Sequence, residues 1–185
     1  MSRISKWAVV ALCAAALSVP ILGAEKELSA TAKSDLAKQV LTIAGWAAAP
    51  EVVKAVVAQN GKGPLPGMDN EKWKAVKRSD PLVKAFMENE AGKFLAAKLA
   101  AGKGLYTEAF LSAEQGEKVA FTGKTTSYIH KGKPKFDEPI AGKTWRGAVE
   151  FDESTQTYSV QIAVPVLAGG KPVGVLVVGV NVNSL

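Results

Sequence analysis

The most strongly patterned stretch of the chain is residues 158–182. From Tyr158 to Pro165 the larger apolar side chains Val160, Ile162 and Val164 alternate with Ser159, Gln161 and Ala163, the period of a strand with one buried face. Ala168-Gly169-Gly170-Lys171 predicts a tight hairpin, because adjacent glycines accept positive φ at little cost. Residues 173–180, Val-Gly-Val-Leu-Val-Val-Gly-Val, are apolar on both faces. A strand of that kind belongs mid-sheet, covered above and below. The rest of the chain is therefore expected as strands beside it or helices over it.

Upstream the period is helical. Leu36, Val40, Ile43 and Ala47 recur at spacings of three and four, which predicts a helix over about 25–48, with Lys33, Asp35 and Lys38 off its stripe. Pro50 suits the first position of a second helix carrying Val52, Val53, Val56 and Val57. Residues 61–67, rich in Gly and Pro, read as a loop. Asp69 or Asn70 caps a short helix through Trp73 and Val76. Asp80-Pro81 starts one further helix with the stripe Leu82, Phe86, Leu95 and Leu99, which Gly102 and Gly104 end.

Past Gly104 the period becomes two. Strands are expected over 108–112 and 118–122, joined by the turn Glu114-Gln115-Gly116-Glu117. Residues 124–143 are polar and irregular, with one helical turn expected near Tyr128. A third strand covers 145–151, followed by the turn Asp152-Glu153-Ser154-Thr155. Five strands after a run of helices make an α+β domain.

The first 24 residues carry a basic start (Arg3, Lys6), an apolar run over 7–22 broken at Pro20, and small residues at Gly23 and Ala24. That is the layout of a secretory signal peptide cleaved near Ala24; cleavage after Ser18 and an uncleaved anchor helix are the alternatives. A lipoprotein anchor at Cys13 is disfavoured by Leu12, where a small residue is expected. The division is 1–24 leader, 25–104 helical segment, 105–185 sheet and pocket segment. Cleavage leaves 161 of 185 residues and lowers the formal net charge from +6 to +4. It also removes Cys13, the single cysteine, and with it any disulfide, thiol chemistry or zinc–cysteine cluster. The short, simple leader points to the periplasm. The mild positive charge favours anionic small molecules and is too diffuse to argue for nucleic acid.

The order of parts resembles the extracytoplasmic PAS-like sensor modules called Cache or PDC domains. The likeness is carried by Asn89-Glu90-Ala91-Gly92, by residues 114–120 at the first hairpin, by Phe151 to Tyr158 at the second, and by Val164-Pro165 followed by residues 173–179. The resemblance implies long N-terminal helices packed on a five-stranded antiparallel PAS-like sheet with the C-terminal strand central. It also implies a small ligand (amino acid, carboxylate or amine) bound under the connecting segment, with signalling through a membrane receptor or sensor kinase. The sequence ends soon after the last strand, so a partner is the expected route for any signal.

Lys124, Tyr128, Trp145, Arg146, Tyr158 and Gln161 are the candidate ligand-binding residues. Arg146 or Lys124 would pair a carboxylate, Tyr128 and Tyr158 would hydrogen-bond, and Trp145 would pack on apolar or cationic parts. Trp145 and Arg146 are adjacent on a strand, so at most one of them faces inward. The plainer alternative makes Trp145 core and the cations solvated. The acid pairs Asp152-Glu153 and Asp137-Glu138 read as turn and loop residues rather than a glycosidase pair. His130, the single histidine, reads as an exposed loop residue, and Lys131, Lys133 and Lys135 as a solvated loop rather than an anion gate. Gly169-Gly170 precedes a strand and so is no phosphate cradle. No nucleophile, base and orienting group assemble, so binding without catalysis is expected, with no cofactor and no metal. The competing expectation is a structural or interaction protein forming a homodimer through its N-terminal helices.

Overall fold

The apolar C-terminal strand lies at the centre of the sheet. The computed structural model describes residues 28–152 and 157–185, so the leader, residues 25–27 of the expected first helix and residues 153–156 of the expected turn lie outside the described residues. Strands β1 (Tyr106–Ala113), β2 (Lys118–Phe121), β3 (Trp145–Asp152), β4 (Thr157–Ala168) and β5 (Lys171–Asn181) form one antiparallel sheet in the order β2-β1-β5-β4-β3. Ala168 pairs with Lys171 across Gly169 and Gly170, which sit at φ 57° and 77°, the left-handed values a two-residue hairpin demands. Residues 174–180 are all buried, because both faces of β5 are covered.

One cover is built from α1 (Ala30–Ala47), α2 (Pro50–Lys62) and α5 (Glu90–Ala101). Ser29 caps α1 by accepting from the Ala32 amide. The predicted stripe then buries Leu36, Ile43 and Ala47 with Val52, Val56 and Leu95 against Ile162, Val164, Leu176, Val178 and Val180. Each such side chain contributes roughly 1.5–3 kcal/mol when taken out of water. Gly174 lets α2 approach β5: a Cβ there would stand 2.5 Å from the Ser112 carbonyl oxygen and 2.7 Å from Val56 Cγ1.

The opposite cover is built from α3 (Asn70–Ala75), α4 (Pro81–Glu88), α6 (Pro134–Ile140) and the chain leading into α6. Here Trp73, Val83, Tyr128 and Phe136 pack on Phe110, Phe121, Ala163, Val175 and Val177. Two expectations are corrected on this side. The single helix expected from Pro81 is two, broken at Asn89, whose Oδ1 caps α5 at the Gly92 amide while its Nδ2 donates to the Val119 carbonyl. The break lets Phe86 pack in one layer and Leu95 in the other, so the stripe that looked continuous serves both faces. The helical turn expected near Tyr128 is a non-helical bend, followed by Ile129 bridged to Glu117; the helix of this segment is α6.

Among the described residues no single helix is long and apolar enough to cross a membrane. α1 and α2 pass such a test only jointly, across a 61° bend, and their apolar stripe faces the sheet.

Candidate ligand site

The segment between β2 and β3 divides into a clamped half and a half that rests on the sheet. Asp69 supplies the helix cap of α3, which leaves Asn70 free. The Asn70 side chain accepts from the Tyr128 and Ile129 amides at 2.9 and 2.8 Å and donates to the Ile129 carbonyl at 3.0 Å. Trp73 Nε1 donates to the Thr125 carbonyl at 2.7 Å. Residues 125–129 are thereby lashed to α3. Beyond them, Gly132 and Gly142 flank α6 at φ 88° and 87°. α6 is held to the sheet by Phe136 and Pro139 and by Lys135, whose Nζ donates to Gln161 Oε1.

Beneath this half the sheet presents polar side chains at alternate positions of β1, β2 and β4. Lys118 has no exposed surface and His130 is 4% exposed. Lys118 Nζ donates to Ser112 Oγ at 3.0 Å, stands 2.7 Å from His130 Nδ1, and lies 4.0 Å from the centre of the Phe110 ring. Around it, Lys133 donates to buried Ser127, and Gln161 links Lys135 to Glu108, donating to Glu108 Oε1 at 2.6 Å. Gly179 keeps this end open for β1: a Cβ there would meet Thr107 Oγ1 at 2.3 Å. Lys118 and His130 are buried, and half-buried Lys133, Lys135 and Glu108 surround them.

Its electrostatics follow from burial and from that excess of positive charge. Burial, and then Lys133, hold the Lys118 amine well below the usual lysine range, with Glu108 pulling upward and Lys135 downward. His130 is brought down to about 2 by burial, then by Lys118, Lys133 and Lys135. Lys133 is lowered by burial and by Lys135. The expectation that His130 is an exposed loop residue is thus corrected, because the bridge of Ile129 to Glu117 turns its ring onto Phe110, 4.8 Å between centroids. Of the three alternating lysines only Lys131 is exposed; Lys133 and Lys135 turn inward.

The six candidate residues separate across the sheet. Gln161 belongs to the enclosed polar set, and Trp145 packs on the same side, against the second core. Tyr128 is fully buried, with its hydroxyl accepting from the Leu65 amide at 2.9 Å. Lys124 donates to the Trp73 carbonyl and lies over the Trp73 ring at 4.7 Å, away from the enclosed set. Arg146 is exposed opposite Ile162, on the other face of an edge strand. Tyr158 is exposed and meets Phe151, 5.0 Å between ring centroids. The cations that gather on this face are therefore Lys118, Lys133 and Lys135 rather than Arg146 and Lys124. Lys118 opens β2, Lys-Val-Ala-Phe; an irregularity in the β1–β2 register pairs it with Ser112, while Val119 and Ala120 both turn to the core under α1, α2 and α5, so strict alternation gave no signal for its face.

Open clefts lie on the helical side. One of about 350 Å³ is lined by Gln59, Lys62, Asn89 and Val119, and an apolar one of about 190 Å³ by Ala44, Ala48, Val164 and Leu167. Among the described residues no group of three His, Cys, Asp or Glu side chains is placed to hold a metal ion.

No protein-family model matches the chain, and no curated protein matches it in sequence. Solved structures do show similarity. The Vibrio cholerae histidine kinase DctB sensor domain aligns at TM-score 0.41 and 15% identity, over 83% of this chain and 58% of that one. The ligand-binding domain of the Pseudomonas fluorescens chemoreceptor CtaA, in complex with L-serine, aligns at 0.46 and 14%, over 82% and 54%. The ligand-binding domain of the Pseudomonas aeruginosa amino acid chemoreceptor PctC, in complex with GABA, aligns at 0.42 and 10%, over 82% and 60%. The chain spans little more than half of each of these domains, and the α+β, PAS-like arrangement stands on its own sheet order and helical cover.

Proposed function

We propose that the protein is an exported, small-ligand-binding sensor module of the Cache type that binds without catalysis, at the polar set enclosed between the sheet and residues 131–143. The observation that carries this is the enclosed set itself: cations and hydrogen-bonding groups from β1, β2, β4, α6 and the loop before it converge where a purely structural layer would be apolar. Lys133 and Lys135 suit a carboxylate, and Glu108 an ammonium group, which is the amino acid, carboxylate or amine class. Gln161, Trp145 and Tyr128 stand on the same face and complete its wall. Lys118, Phe136 and Tyr128 fill the space in the closed form, so a ligand enters only as α6 lifts between Gly132 and Gly142. The same lifting would pass a signal to a receptor or sensor kinase. Export to the periplasm rests on the leader pattern over 1–24.

The test is a thermal-shift screen of the exported protein against amino acids, carboxylates and amines. A saturating ligand raises the melting temperature by mass action, and Lys133→Ala with Lys135→Ala removes the rise. A ligand that stabilises the double variant as well as the parent would sink this location.

A second reading, an interaction protein that dimerises through its N-terminal helices, is favoured by one observation: Leu41 on α1 is 75% exposed. Light scattering on Leu41→Lys separates the two: a dimer lost in the variant supports it.

A further inference from the structure

We infer that Lys118 anchors an anion subsite that takes up one proton from solvent as a carboxylate enters. The inference rests on the ligand-site reading above and narrows it to compact anions. It starts from hydrogen-bond capacity. A lysine ammonium has three N–H donors. Two acceptors are in place at Nζ, Ser112 Oγ at 3.0 Å and His130 Nδ1 at 2.7 Å. No third oxygen or nitrogen acceptor meets it among the described residues; the Phe110 ring centre lies 4.0 Å away. Nor does it form an ion pair: the described salt bridges are Lys38–Asp35 and Lys74–Glu71, both far along the chain.

The groups that face it from every packed element leave the charge unbalanced. β1 contributes Ser112 and Glu108, the loop contributes His130 and Lys133, α6 contributes Lys135, and β4 contributes Gln161, already bonded to Glu108 and Lys135. A fully enclosed ammonium without a counter-ion is expensive, so the empty site holds a neutral amine, in keeping with the direction of its shift. A cation entering would add to the imbalance, and a neutral ligand would leave it unchanged. A carboxylate supplies the counter-ion that Lys118 lacks, so the amine can hold a proton beside it. The step balances as amine plus proton plus carboxylate giving an ammonium–carboxylate pair, with no other bond made or broken. The third N–H then meets the ligand, while His130 stays neutral and keeps accepting.

The experiment uses the full chain, labelled with ¹⁵N and ¹³C, with the Lys118 Nζ resonance followed at pH 7. Sodium formate, acetate and pyruvate are the probes; sodium chloride and methylammonium chloride at equal ionic strength are the controls. The resonance is expected at the amine position with the controls and at the ammonium position with at least one carboxylate. Calorimetry in two buffers of different ionisation enthalpy should show one proton taken up per site. The dissociation constant should weaken about tenfold per unit rise in pH from 7 to 9. Lys118→Met, which removes a buried amine and keeps most of the side-chain volume, should fold and lose carboxylate binding. An ammonium signal without carboxylate, or an amine signal that no probe moves, overturns the inference. A ligand that stabilises Lys118→Met as much as the parent overturns it while leaving the sensor reading standing; failure of every ligand with both chains overturns both.

Discussion

His130 Nδ1 and Lys118 Nζ stand 2.7 Å apart in a space closed to water, and neither belongs to an ion pair among the described residues. Burial holds the histidine neutral at ordinary pH and lowers the lysine's affinity for its proton. Between pH 6.5 and about 2 the unfolded chain holds a proton on the histidine that the folded chain does not. Stability should therefore fall as the pH drops below 6.5, approaching about 1.4 kcal/mol per pH unit from this group. Urea titrations at pH 7 and 5.5 should show the loss, and His130→Gln should show a smaller one. Equal losses in the two chains would remove the histidine from the account.

The lysine acts at the alkaline end. Its folded-state pKa is lowered, so as the pH rises toward 10.5 the unfolded chain binds the extra proton. Without ligand, stability should rise with pH across that window, and in Lys118→Met the rise should be smaller. Denaturation midpoints at pH 7, 8 and 9 measure it.

Glu117 has no exposed surface, and neither of its carboxylate oxygens meets a hydrogen-bond donor at bonding distance. Burial pushes this carboxyl above its ordinary range, against a smaller opposing pull from nearby amide dipoles. Its charged form therefore destabilises the fold at neutral pH. Glu117→Gln should raise stability at pH 7 by about 1–3 kcal/mol, with the gain shrinking as the pH falls and the acid is neutralised. A loss on substitution would mean that the carboxylate is held by something else.

Asn70 ties Tyr128 and Ile129 to α3 with three hydrogen bonds. Asn70→Ala should cost about 2–4 kcal/mol, at roughly 1 kcal/mol for each bond. Amide exchange should quicken over residues 125–130 more than over β5. Uniform quickening would show that the clamp is not local.

Gly174→Ala places a methyl group 2.5 Å from a backbone carbonyl that β1 cannot withdraw. The expected loss is about 1–3 kcal/mol. Thermal unfolding checks it, and an unchanged midpoint would mean that α2 and β5 separate freely.

Much of the fold was legible because its signals are local. The alternation over Tyr158–Pro165, the Gly169-Gly170 turn and the doubly apolar limb after it required one hairpin and one central strand, and the order β2-β1-β5-β4-β3 contains both. Asp80 and Asp69 read as caps and act as caps. The break at Asn89 was hidden because Phe86 and Leu95 share a helical stripe while packing on opposite faces of the sheet. The enclosed polar set was mostly missed for a related reason: Lys133, Lys135 and His130 lie in a basic, polar stretch indistinguishable from a solvated loop.

Periodicity and turn chemistry, which depend on neighbours a few residues away, settled from sequence alone that this chain has an α+β fold with its last strand innermost. Which face Lys118 meets, that His130 comes to rest against it from 12 residues away, and that Arg146 turns outward were decided by tertiary structure. Those outcomes depend on where α3 and α6 pin the intervening chain. A side chain's charge state follows from the surroundings it is pinned into, not from its neighbours in sequence.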